Sequence, residues 1–114
     1  MPATLSIHRA DGFFSRLAGL LALPRLQSGQ GLLLVPCASV HTAFMRYAID
    51  VVFLDRAGVV RKIVPHLQPW RMAACAGAHQ TLELAAGQAS ALALAPGQPL
   101  PGLPPQMVQP GTQP

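Results

Sequence analysis

Between Cys37 and Asp55 the chain reads C-A-S-V-H-T-A-F-M-R-Y-A-I-D-V-V-F-L-D, and most of its chemically versatile side chains lie in this stretch. Arg46 and Asp50 flank a short connection, close enough to meet across it. A guanidinium fork on a carboxylate is a strong, geometry-fixing pair. Such a pair either holds Arg46 ready for a carboxylate, phosphate or sugar hydroxyl, or simply fixes the turn. In the second case, losing one member strands a charge. Glu83, alone inside L-E-L, competes as a partner for Arg46 or Arg61. His41 and Thr42 stand just upstream of the pair. Trp70-Arg71, after Pro69, sets an aromatic ring beside a cation on a loop. That combination suits stacking on a sugar or on a partner's side chain, or else a lid over a sheet with a solvated Arg.

Two further patterns raise catalysis and metal binding. Cys37-x-x-x-His41 and Cys75-x-x-x-His79 repeat one spacing, as in a Cys2His2 zinc site. In an extended strand, however, residues four apart are separated by roughly 13 Å, too far to share one ion. No metal ligand set and no cofactor is assigned on this ground. Cys37 or Ser39 with His41 and Asp50 supplies a nucleophile, a base and an orienting acid. No nucleophile elbow surrounds them, and half-buried strand histidines commonly serve as hydrogen-bond partners. With four acids in the whole chain, two-carboxylate chemistry has little material.

The elements that must position these groups are mostly extended. Residues 2–8 alternate weakly, as an edge strand does. Asp11 is a helix N-cap before a stripe of Phe13, Leu17, Leu20 and Leu21, predicting a helix over 12–21 that ends at Pro24. Residues 31–36, apolar on both alternating faces, predict a doubly buried strand. Residues 38–46 form another extended run, with Val40, Thr42 and Phe44 on one face and Ser39, His41, Ala43 and Met45 on the other. Residues 46–49 turn the chain into I-D-V-V-F-L-D. The D-R-A-G of 55–58 is a tight-turn signal, so 59–64 returns antiparallel as a hairpin. Pro65 and Pro69 make 65–71 irregular. The small-residue stretch 72–80 reads as loop or frayed helix, 81–85 as a strand, 87–94 as a short helix and the region near Leu100 as a last short strand.

At 114 residues, 51% hydrophobic and 11% charged, the chain has material for one core. Twelve prolines and ten glycines favour short strands and turns. The expected layout is one β-rich domain over residues 1–100 and a Pro-rich disordered tail over 101–114. The formal charge of +4 makes this a basic protein, but the cations are scattered and only Arg61-Lys62 are adjacent. Nucleic acid is therefore not expected as a partner. Two cysteines exclude a multi-bridge secreted scaffold, and the N-terminus lacks the form of a signal peptide. No apolar run approaches the length of a membrane span. A cytoplasmic, soluble chain is expected.

The segments G-L-L-L-V-P-C-A-S-V-H-T-A-F-M-R-Y-A-I-D-V-V-F-L-D-R-A-G, then P-W-R, L-E-L-A-A-G and P-G-Q-P-L, resemble domain of unknown function 192, a bacterial and archaeal family. The resemblance covers roughly residues 8–100 and implies a small all-β, sandwich-like domain with no established function. The chain departs from that pattern at Ala48 and Ala85, where proline is usual, and at Gln98, where an aspartate is usual.

The sequence as a whole predicts a mainly β fold: a small sandwich or partly open barrel with one or two short helices. The function expected is a non-catalytic binding or accessory module for a small polar ligand or a partner protein. Its surface joins His41, Thr42, Arg46, Asp50, Trp70 and Arg71, with Arg46, Asp50 and Glu83 as the structural-pair candidates. The alternative is an enzyme, such as a metal-assisted hydrolase, using His41, Asp50 and Cys37.

Overall fold

A computed structural model describes residues 6–11, 26–42 and 45–100. Among these residues seven strands and one short helix follow in order: β1 (Ser6–Asp11), β2 (Gln30–Val35), β3 (Ser39–His41), β4 (Ile49–Leu54), β5 (Val60–Leu67), β6 (Met72–Ala74), β7 (Gln80–Ala85) and α1 (Gln88–Ala91). Five strands form a mixed sheet in the order β1-β2-β7-β4-β5, and β3 pairs with β6 in a separate two-stranded ribbon. The fold is mainly β as expected, and open rather than a closed barrel. The strand expected over 2–8 overlaps β1, which runs on to Asp11, and residues 2–5 lie outside the described residues. The helix expected over 12–21 and the tail from residue 101 lie outside the described residues.

The apolar runs take the interior positions. β2 lies between β1 and β7, and every residue of β4 is buried. The hairpin at 55–58 forms as its sequence predicts. One Asp55 carboxylate oxygen accepts the Ala57 and Val59 N–H groups at 2.9 and 3.0 Å, and Gly58 closes the turn with φ 82°. β7 pairs with both β2 and β4 and so forms the middle of the sheet.

Strand alternation divides the core in two. On one face Leu32, Leu34, Ile49, Val51 and Phe53 pack with Cys37, Val40, Met45 and Leu67. The opposite face gathers Leu33, Val52, Leu54, Leu82 and Leu84 with Ala89 of α1 and Leu100. Burying one such aliphatic or aromatic side chain contributes roughly 1.5–3 kcal/mol, so the two layers hold the sheet from both sides. The ribbon covers the first face, through Val40 and the partly buried Ala73, and α1 covers the second.

Five local expectations are corrected. The extended run over 38–46 stops at His41 as a strand, because Met45 N–H donates to Thr42 O at 3.1 Å and turns the chain. Met45 is consequently buried in the core instead of sharing the exposed face of Ser39 and His41. β5 runs through Pro65 to Leu67, a strand where irregular chain was expected. The proline sits where the β4–β5 register shifts between Ile49 and Val51, a place that does not demand its missing N–H. Residues 72–74 form β6 rather than loop or helix, their partner being β3 more than thirty residues upstream. The helix expected over 87–94 is four residues long. Ala93 turns left-handed at φ 56°, and Leu94 N–H folds back to Ala89 O at 3.0 Å. Near Leu100, an isolated bridge joins Val59 to Pro99 in place of a strand.

Candidate functional site

Thr42 is the anchor of the polar constellation. It is fully buried, and both its hydroxyl and its main chain are committed to the loop before β6. The hydroxyl donates to Gln68 O at 2.6 Å, with Arg71 O at 3.2 Å, and accepts Arg71 N–H at 2.9 Å. Thr42 N–H donates to Arg71 O at 2.8 Å. The Thr42 carbonyl accepts from both Met45 N–H and Trp70 N–H, each at 3.1 Å. Arg46 follows Met45 directly, so Arg46 and Trp70 are held within one residue of the same oxygen.

That anchoring presents Trp70 outward. The indole-bearing residue is 61% exposed and takes φ 63°, a left-handed conformation that costs a bulky L-residue roughly 1–2 kcal/mol. Strain of this kind persists where surrounding bonds impose it. Two residues on, Met72 is 71% exposed. It lies directly opposite His41 in the β3–β6 register, and His41 is exposed as well. Main-chain bonds Cys75 N to Ala38 O and Thr42 N to Arg71 O fix the hydrogen-bonded pairs of this ribbon, leaving His41 and Met72 as a non-hydrogen-bonded pair. Such pairs stand closest, with α-carbons about 4.5 Å apart. Arg46 and Arg71 are exposed around them. His41, Arg46, Trp70, Arg71 and Met72 are thus exposed residues linked to Thr42 through the chain, its hydrogen bonds or the β3–β6 register. Met72 is the member missed by sequence reasoning. Its period-2 relation to Trp70 was the available signal, but nothing local marked 72–74 as a strand.

Asp50 is placed elsewhere. Its register partner is Leu84, on the face covered by α1, and it is 1% exposed. One carboxylate oxygen accepts His66 N–H at 2.9 Å; the other accepts Gly87 N–H at 3.0 Å and Ala89 N–H at 2.8 Å. The side chain therefore ties the left-handed His66 (φ 51°) and the start of α1 to β4. The expected convergence of His41, Arg46 and Asp50 is not found, because the sheet lies between Asp50 and the other two. Glu83 is buried between Leu32 and Val51 at the sheet centre, whereas Arg46 and Arg61 are exposed.

The groups considered for catalysis are also distributed over different layers. Cys37 is buried, with its thiol donating to Ser39 O at 3.0 Å, and His41 points off the ribbon's outer side. A pocket of about 360 Å³ opens at the far end of the β4–β5 hairpin, lined by Asp55, Arg56, Ala57, Gly77, Ala78 and His79. It shares no residue with the Trp70 surface.

Comparison with known proteins fixes the family. The DUF192 pattern, described as Uncharacterized ACR, matches residues 2–102. The chain belongs to DUF192. A comparison with curated proteins returns no relative. Two crystal structures are similar to this one in fold. A protein of unknown function from Novosphingobium aromaticivorans superposes with TM-score 0.73 at 20% identity, over 83% of this chain and 73% of its own. A "putative transcription regulator" from Sinorhizobium meliloti superposes with TM-score 0.74 at 20% identity, over 83% of this chain and 79% of its own. This DUF192 chain shares their fold. Among its described residues no helix is long and apolar enough to cross a membrane.

Proposed function

We propose that this DUF192 chain is a non-catalytic recognition module whose binding surface is formed by His41, Arg46, Trp70, Arg71 and Met72. One observation carries the proposal: a buried threonine spends its hydroxyl and its main chain on holding a strained tryptophan out in solvent. A residue kept only for the core would be buried, and a residue kept only for the turn would be glycine. Large exposed apolar side chains rimmed by cations mark surfaces that meet a partner. The separation of Cys37, His41 and Asp50 onto different layers leaves the hydrolytic alternative without an assembled nucleophile, base and acid.

Trp70 is the chain's single tryptophan, so its fluorescence reports this surface alone. Emission is to be measured during titration with polyglutamate, heparin oligosaccharide, a short oligothymidylate and neutral cellooligosaccharide. At least one member is expected to shift or quench the emission, with the effect weakened by Arg71→Ala in a protein whose circular dichroism is unchanged. If no member alters the emission, and Arg71→Ala or Arg46→Ala lowers stability by about 2 kcal/mol or more, the side chains serve structure rather than recognition.

A further inference from the structure

We infer that the partner is an extended polypeptide segment carrying carboxylates around an apolar side chain; this rests on the recognition role just proposed and specifies its ligand. The hydrogen-bonding side chains of the surface are mainly donors. The Arg46 and Arg71 side chains have no acceptor atom, and Arg71 Nη1 donates to the Trp70 carbonyl at 3.3 Å. No described carboxylate pairs with either guanidinium. Asp50 and Glu83 are buried, and Asp55 lies at the opposite end of the β4–β5 hairpin, roughly six strand residues or about 20 Å away. A neutral sugar must both give and receive hydrogen bonds, and finds no charged acceptor here. Carboxylates need only donors, and each guanidinium can take one through two parallel bonds.

The remaining features separate a peptide from other anions. Trp70 and Met72, both exposed, lie two residues apart with His41 across from Met72, and offer apolar surface to one aliphatic or aromatic side chain. Because His41 belongs to a non-hydrogen-bonded pair, its N–H and C=O point away from β6, off the ribbon's edge. An extended peptide carries the matching main-chain groups, as in strand addition to a sheet edge. The other outward carbonyls of the ribbon are occupied, Ala74 O by the Lys62 ammonium at 2.9 Å and Ser39 O by the Cys37 thiol at 3.0 Å, so addition would centre on the His41–Met72 pair. A nucleic acid would gain from several cations spaced along its backbone, whereas this surface offers Arg46, Arg71 and His41 around an apolar centre.

The test is selection of random twelve-residue peptides, displayed on phage, against the full chain. Enriched sequences are expected to place two or more Asp or Glu around a Leu, Ile, Phe or Met. Synthetic copies free of tryptophan should change Trp70 emission. Their affinity should fall about tenfold with Arg46→Ala, Arg71→Ala or Met72→Ala, and by a similar factor when a central peptide bond is N-methylated. Circular dichroism of each variant separates lost binding from lost folding, and the N-methylated peptide needs no variant at all. Enrichment of neutral or basic peptides, or acidic peptides indifferent to all three substitutions, overturns the inference. So does a peptide selection that fails while heparin, oligothymidylate or phosphatidylserine vesicles shift the emission, an outcome that leaves the recognition role standing. Silence in every arm removes both.

Discussion

The two faces of the central sheet use the same device for opposite ends. On one face Asp50 collects three main-chain N–H groups and closes His66 and α1 onto β4, leaving its own carboxylate 1% exposed. On the other, Thr42 collects the main chain of residues 68–71, but what it fixes is a loop that carries Trp70 into solvent. Both are buried polar groups satisfied by irregular backbone, as burial requires. The difference lies in what the fastened segment displays. A helix turn displays nothing beyond its own surface, whereas the Thr42-bound loop displays an indole, a guanidinium and, two residues later, a thioether. A buried polar residue near candidate chemistry is therefore read best by following the backbone it holds.

Removing the fasteners should break this comparison most sharply. Asp50→Ala leaves three N–H groups without their acceptor, and bonds to a charged group contribute about 1.5–3 kcal/mol each before non-additivity. A loss of at least about 3 kcal/mol is expected in urea denaturation; a loss below 1 kcal/mol would mean the closed face does not depend on it. Thr42→Val keeps the shape and deletes the hydroxyl, and is expected to cost about 1–3 kcal/mol. It should also lower the fluorescence anisotropy of Trp70, whereas Asp50→Asn should leave that anisotropy near the wild-type value. Equal responses would erase the distinction between the two faces.

Smaller effects sharpen the assignment of Trp70. Trp70→Gly removes a partly covered ring but also relieves a left-handed φ of 63°. The two contributions oppose each other, so net stability is expected to move by less than about 1 kcal/mol. A loss of 3 kcal/mol would show Trp70 to be a lid. Smallest of all, Arg46→Ala should stay within about 0.5 kcal/mol of wild type, since exposed residues away from special contacts rarely matter more. A larger cost would restore Arg46 as a structural partner.

Much of the fold was legible because its signals are local. I-D-V-V-F-L-D-R-A-G-V-V-R-K-I-V carries both strands and the turn of a hairpin within sixteen consecutive residues, and G-L-L-L-V shows burial on both faces. The exposure of Ser39 and His41 opposite Val40 and Thr42 also followed from alternation alone. The expected meeting of Arg46 with Asp50 failed for a specific reason. Asp50 stands between strand residues whose alternation sends it to the α1 face, and its acceptor capacity is satisfied by amides 16, 37 and 39 residues away.

Residue types and their spacing determined the hairpin and the doubly buried strand at 31–36, because periodicity and turn chemistry act over a few neighbouring residues. Tertiary structure decided that Met72–Ala74 is a strand, that Thr42 holds the Trp70 loop, and that His41 and Asp50 lie on opposite sides of a sheet. Those outcomes depend on hydrogen bonds between segments tens of residues apart, where the partner's position, and not the residue's own identity, sets the energy.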